Sequence, residues 1–168
     1  MTGTERLPNG WLVEWAPSHF HPETFEELSG WAYSGLKSLL SAMEPGGRVQ
    51  PHILIVAPEG TGMLELPEMT VATAEDVRRL TEETLTDLVR RHKPHALVLV
   101  TTGHRQGQEC ILMAIDDSRS AGLIMIPLKR ETSRLQLGQP EMLPDEDLLL
   151  KRIVMLPFVL AYAEGGRN

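Results

Sequence analysis

The chain has 168 residues, of which 42% are hydrophobic and 23% are charged, close to the averages of globular domains. This composition excludes disordered, collagen-like and low-complexity classes, and a net charge of −7 argues against binders of nucleic acid or anionic membranes, which need a basic surface. The one cysteine, Cys110, excludes an internal disulfide and any multi-cysteine metal site.

The length predicts a single domain over residues 1–168 that opens with an aromatic-rich lead-in over residues 1–21. No segment has the pattern of an export signal, and the longest nearly apolar stretch, residues 153–163, is too short to span a bilayer. We therefore expect a cytoplasmic protein.

The first predicted helix follows Pro22, because apolar residues recur at three- and four-residue steps from Phe25 to Met43. A β-hairpin is predicted next, formed by residues 52–57 and 63–69 around turn-forming residues. A second helix is predicted to begin near Thr73 and to end in the cationic residues 90–93.

Three further strands are predicted at residues 96–100, 109–115 and 121–128, where apolar runs alternate with short polar segments. A connecting loop over residues 131–143 then leads to a C-terminal helix that begins near Pro144. The predicted fold class is α+β, with a mainly antiparallel five-stranded sheet, flanking helices and the element order αββαβββα.

This order of elements resembles the roadblock and longin-like class of small sheet-plus-helix modules, which commonly serve as dimerising platforms for partners. The resemblance covers the order of elements over most of the chain and includes no diagnostic motif, so what it implies is an architecture and not a function.

A possible metal site precedes the first helix. His19-Phe20-His21-Pro22, followed by Ser29, is similar to the metal-binding signature of the JAMM metallopeptidases, in which two imidazoles and a carboxylate hold zinc beside an activated water. Ala32 stands where that signature has its aspartate. We expect no metal, and His19 and His21 remain the candidate ligands should one bind.

The polar loop predicted over residues 101–108 follows the most apolar strand. Within it His104 could act as an acid or base, Arg105 could bind an anion, and Glu109 just after it could orient the imidazole. The alternative is a solvated hairpin loop. Elsewhere Asp116 and Asp117 have the pattern of turn residues, and Cys110 that of a small buried hydrophobic residue.

Six of the eight aromatic residues lie between residues 11 and 33. They are either core residues that cover the sheet or the lining of an exposed groove for a ligand or partner, with Trp11, Trp15 and Trp31 as its candidates.

The C-terminal segment is apolar on every side of its predicted helix, which predicts that a second subunit covers it through Leu149, Ile153, Leu156 and Leu160.

These patterns favour a non-catalytic interaction or dimerisation module, acting as an adaptor, chaperone or regulatory subunit. We expect a homodimer, and a further protein partner is possible, while nucleic acid, membrane and cofactor are not expected. Two alternatives remain open, a small metal- or histidine-dependent hydrolase and a small-molecule sensor lined by the aromatic residues.

Overall fold

The computed structural model describes residues 3–67 and 74–143, which form two helices and a nine-stranded antiparallel sheet. The predicted five-stranded α+β sheet with flanking helices is therefore wrong, since the described part of the chain is mostly β. The elements are β1 (Gly3–Arg6), β2 (Leu12–Ala16), α1 (Phe25–Ser41), β3 (His52–Ala57), β4 (Gly60–Glu65), α2 (Ala74–His92), β5 (Ala96–Arg105), β6 (Gln108–Asp116), β7 (Ala121–Arg130), β8 (Leu135–Leu137) and β9 (Glu141–Leu143).

Helix α1 begins where its sequence offers a cap. The Thr24 hydroxyl accepts a hydrogen bond from the Glu27 amide at 3.1 Å, and the Glu27 carboxylate accepts one from the Glu23 amide at 3.0 Å. This arrangement satisfies donors that the first turn cannot use internally. The buried face of the helix follows the predicted apolar stripe through Leu28, Ala32 and Leu36. It then continues to Leu40, whereas Leu39, which was predicted to belong to the stripe, is exposed.

The sheet runs in the order β1-β2-β4-β3-β5-β6-β7-β8, and β9 pairs with β7 along the same edge as β8. Every pairing is antiparallel. Strands β3 and β5 lie at the centre, and the shortest strands lie at the edges.

The two helices lie on opposite faces of the sheet, because side chains alternate along each strand. Leu97 and Leu99 of β5 belong to the core under α2, whereas Val98 and Val100 belong to the core under α1. The central strands are therefore covered on both sides, as their uninterrupted apolar sequence indicates.

Four strands lie where no strand was predicted. The lead-in forms β1 and β2, and the connecting loop forms β8 and β9. The polar residues 101–105 extend β5, so the predicted loop after it shrinks to a turn at Gln106 and Gly107, both with positive φ. Strands β1, β8 and β9 and residues 101–105 are short or polar and pair through backbone hydrogen bonds, which hydrophobic periodicity does not reveal. Strand β2 does alternate, with Val13 and Trp15 buried, but over five residues only.

The element order αββαβββα is wrong for the same reason, since the described order begins with two strands and ends with five. The architectural analogy to roadblock and longin-like modules, which used that order, loses its basis. The predicted C-terminal helix lies outside the described residues.

One close contact in the sheet requires glycine. Trp15 pairs directly with Gly62, and a Cβ built on Gly62 would lie 2.9 Å from the Val13 Cγ1 atom and 3.0 Å from the Trp15 ring. The indole therefore packs flat over the Gly62 backbone.

We expect Gly62→Ala to lower the free energy of unfolding by about 1–3 kcal/mol, because the added methyl overpacks this contact. The matched control is Gly30→Ala in α1, where a Cβ meets nothing within 4 Å. Because alanine favours the helix more than glycine does, this variant should raise the free energy of unfolding by about 0.5–1 kcal/mol. Urea denaturation measures both, and a stabilised Gly62→Ala variant would contradict the packing.

Candidate functional site

A row of polar side chains crosses the end of the sheet on the α1 side. His104 of β5 pairs directly with Glu109 of β6, so the two side chains share one face, and the alternation of β7 places Arg130 on that face as well. The structure thus brings together the two predicted residues His104 and Glu109, with an arginine that the sequence did not single out.

Arg130 and Glu109 form a bidentate ion pair. Its Nε and Nη2 atoms each donate to a Glu109 carboxylate oxygen at 2.8 Å. The hydrogen bonds from Arg130 outweigh partial burial and hold the pKa of Glu109 below its usual value, with smaller contributions from the charges of His104 and Arg48. Glu109 is therefore an ionised partner of Arg130, which weakens its case as an orienting group for His104.

Arg130 also anchors the loop that follows α1. Its Nη1 atom donates to the carbonyl oxygens of Pro45 at 2.8 Å and Gly47 at 2.7 Å. The guanidinium thus joins β6, β7 and the loop at one point, and it fixes the loop above the end of the sheet.

Between this loop and the strands lies a cavity of about 750 Å³, which we call the sheet-end cavity. Arg48 and His104 are exposed in its wall, and neither has a hydrogen-bond or ion-pair partner among residues 3–67 and 74–143. Arg105 points to the opposite face and pairs with Glu141 at 3.3 Å. The lining residues are Gly46, Arg48, Val49, Gln50, Pro51, Thr101, Thr102, His104, Glu109 and Arg130.

His19 and His21 lie in the exposed lead-in to α1. The His21 ring meets the edge of the His95 ring at a centroid distance of 5.6 Å. In the part of the chain that the structure describes, no group of three His, Cys, Asp or Glu side chains could hold a metal ion, and the position corresponding to the missing aspartate is the buried Ala32.

The three tryptophans do not line a single groove. Trp11 and Trp15 lie on the α2 side of the sheet, whereas Trp31 lies on the α1 side, where it stacks on Phe20 at 4.9 Å. The aromatic cluster of the sequence is thus divided between the two cores.

Trp15 takes part in a polar network that ties β1 to the end of α2. Its indole donates to the Glu5 carboxylate at 3.0 Å, and the same carboxylate contacts Arg91 and, at 3.0 Å, the His92 Nε2 atom. Burial works to raise the pKa of Glu5, but the hydrogen bonds from Arg91 and Trp15 outweigh it and leave the pKa lowered.

An apolar cleft lies beside α1, over the half of the sheet that this helix does not cover. Its cavity measures about 400 Å³ and is bounded by one flank of α1, including Trp31, Gly35 and Leu39, and by Leu54 and Met63 of the sheet. Leu39 and Met63 are 41% and 37% exposed. We call this feature the α1 cleft; the sequence missed it because it depends on how far the helix reaches across the sheet.

Leu12 extends this apolar surface along β2. It lies on the same face as Met63, because Val13 beside it packs toward α2, and it is 42% exposed. The predicted interface residues Leu149, Ile153, Leu156 and Leu160 lie outside the described residues.

The paired aspartates are turn residues, as predicted. The Asp116 carboxylate accepts from the Ser118 amide at 2.7 Å, and Asp117 accepts from the amides of Arg119 and Ser120 at 2.9 Å and 2.6 Å. Cys110 is buried as well, and burial raises the pKa of its thiol, which makes it a poor nucleophile.

Burial raises the pKa of Asp116 from 3.8 to about 6, reinforced by the charge of Asp117 and opposed by the Ser118 hydrogen bond. The folded protein therefore binds the Asp116 carboxyl proton more tightly than the unfolded chain does. The stabilisation that this proton contributes is complete below pH 3.8 and is lost as the pH rises through about 6.

We expect the free energy of unfolding of the wild type, relative to that of Asp116→Asn, to fall by about 2 kcal/mol as the pH rises from below 3.8 to above 6. The full pKa difference corresponds to roughly 3 kcal/mol, and solvent at the turn reduces this value. Denaturant unfolding of both proteins across this range measures the difference. If the unfolding free energies of the two proteins changed in parallel with pH, the raised pKa of Asp116 would be contradicted.

Neither α1 nor α2, the helices of the described residues, is long and apolar enough to cross a membrane. Comparisons of the chain with protein-family models, with curated proteins and with solved structures give no match, so its function is inferred from the geometry above.

Proposed function

We propose that the protein is a homodimeric protein–protein interaction module whose subunits meet through the α1 cleft. The observation that carries this proposal is the pair of exposed apolar side chains Leu39 and Met63 in the α1 cleft, with exposed Leu12 on the same face of the neighbouring strand β2. Surfaces of this kind on a globular domain are typical of interaction sites, because water contact with them is unfavourable.

A second helix could pack beside α1 in the cleft. Helices pack about 8–10 Å apart and neighbouring strands lie about 4.8 Å apart, so a second helix beside α1 would cover roughly two strands. Those strands are β4 and β2, whose α1 side carries Met63 and Leu12.

A second copy of the chain is the occupant that this surface fits best, because the surface combines protrusions with a recess. Leu39 and Met63 project beside a helix flank of small residues, Ser34, Gly35 and Ser38, which permits close approach. Around a two-fold axis, projecting side chains of one subunit can enter the recess of the other.

The charged rim of the cleft is also self-complementary. Glu14 pairs directly with Met63, and Arg6 pairs with Leu12, so an acid and a base border the same apolar surface. In a two-fold dimer the acid of one subunit can lie against the base of the other, which favours self-association.

The α1 cleft would form the centre of the dimer interface, and its charged rim would supply the remaining area. A 17-residue helix is roughly 25 Å long and three strands are roughly 14 Å wide, which together present several hundred Å². A typical specific interface buries about 800 Å² on each partner. The lone buried thiol of Cys110 suits the reducing cytoplasm in which we place this dimer.

The test is the solution mass of the full chain, measured by light scattering and sedimentation. We expect the wild type to have about twice the 18.7 kDa chain mass, and the Leu39→Asp, Met63→Asp double variant to be a folded monomer. Both side chains are partly exposed already, so the substitutions should leave the fold intact.

The matched control is Met142→Asp. Met142 is 56% exposed but lies on β9 at the opposite edge of the sheet, so this variant should remain a dimer. A monomeric wild type would overturn the proposal, and so would a dimer that persists in the double variant.

A further inference from the structure

The sheet-end cavity has a positively charged wall, although the protein as a whole is acidic. Glu109 is the one carboxylate among the described residues that line it, and Arg130 neutralises it through two hydrogen bonds of 2.8 Å. Arg48 therefore remains as an unbalanced cation in the wall of the cavity, on a chain whose net charge is −7.

Two basic side chains in the wall have no hydrogen-bond or ion-pair partner among the described residues. Arg48 and His104 are exposed to the cavity with no hydrogen-bond or ion-pair partner in residues 3–67 and 74–143, and the Thr102 hydroxyl lies beside them on β5. Cationic and hydroxyl donors gathered at one site are the groups that recognise an anion.

The frame around these donors is rigid. Arg130 fastens the loop that carries Arg48 by donating to the carbonyl oxygens of Pro45 and Gly47, at 2.8 Å and 2.7 Å. Two antiparallel strands hold His104 and Glu109 in direct register. A preorganised site loses less conformational entropy when a ligand binds.

The geometry points to a binding site for a small phosphate-bearing molecule in the sheet-end cavity, with Arg48, His104 and Thr102 as the contacting donors and Arg130 as a positioning residue. A phosphate group offers three acceptor oxygens to donors of different types, whereas a carboxylate offers two. The proposal does not rest on the dimer, since the α1 cleft is lined by a different set of residues.

The size of the cavity indicates that the phosphate carries an organic group. A volume of about 750 Å³ is in the range of pockets for small molecules and exceeds the needs of a bare ion. Val49 and Pro51 supply an apolar wall for that group. The ligand class is therefore a phosphomonoester of a small organic molecule.

The experiment is a titration of the ¹⁵N-labelled full chain with inorganic phosphate and with phenyl phosphate, followed by amide chemical shifts at fixed pH and ionic strength. We expect saturable shifts confined to residues 46–51 and 101–109, with a Kd on the order of millimolar for phosphate and tighter binding of phenyl phosphate. Phenol, which lacks the charge, should cause no such shifts.

Arg48→Gln and His104→Gln should each weaken phenyl phosphate binding about fivefold or more, because each removes a charge or a donor. Arg134→Gln, at an exposed arginine outside the cavity, is the matched control and should bind as the wild type does. Glu109→Gln should instead strengthen binding, because it leaves the Arg130 charge uncompensated, and a purely structural role would not produce that gain.

Unchanged affinity in the Arg48 and His104 variants would overturn the proposal, as would shifts that spread over all basic residues without saturation. Weaker binding by a folded Glu109→Gln variant would contradict the charge argument. A wild type that is monomeric yet binds phenyl phosphate would refute the dimer and leave this site intact.

Discussion

Burial of the central strands on both faces is the constraint on which the rest of this structure depends. Ile53 and Ile55 of β3 pack under α2, while Val98 and Val100 of β5 pack under α1. Because a strand alternates its side chains, shifting one of these strands by a single residue would exchange the two cores. The register is thus strongly specified, and it determines which polar side chains share a face where the strands run beyond the helices.

The two candidate surfaces are both places where helix α1 does not cover its face of the sheet. At its side the uncovered sheet is apolar, and this forms the α1 cleft around Met63. Beyond its C-terminal end the uncovered sheet is polar, and the loop anchored by Arg130 closes over it to form the sheet-end cavity. One helix of limited size therefore leaves both the surface at which we propose the dimer and the cavity in which we propose the phosphate site.

The sequence predicted elements whose apolar pattern extends over many residues, and it failed at short strands. The α1 stripe through Leu28, Ala32 and Leu36 and the apolar run of β5 are patterns of the first kind, and both are buried in the structure. Strands β1, β8 and β9 have three or four residues, too few for a period to be visible. His104 and Glu109 were singled out as neighbours in a loop, but Arg130 lies 21 residues from Glu109, and only the register reveals their contact.

The Glu5 contacts with Arg91 and His92 bear on the order in which the molecule assembles. Residues 3–16 are made before β4 and α2, the elements to which they bind, and the Glu5–Arg91 pair spans 86 positions in the chain. Closing so long a loop costs entropy that is recovered only once the distant elements are in place. The hairpin of β1 and β2 can complete its contacts only when α2 is in place, and until β2 pairs with β4 that edge of β4 has unpaired backbone groups.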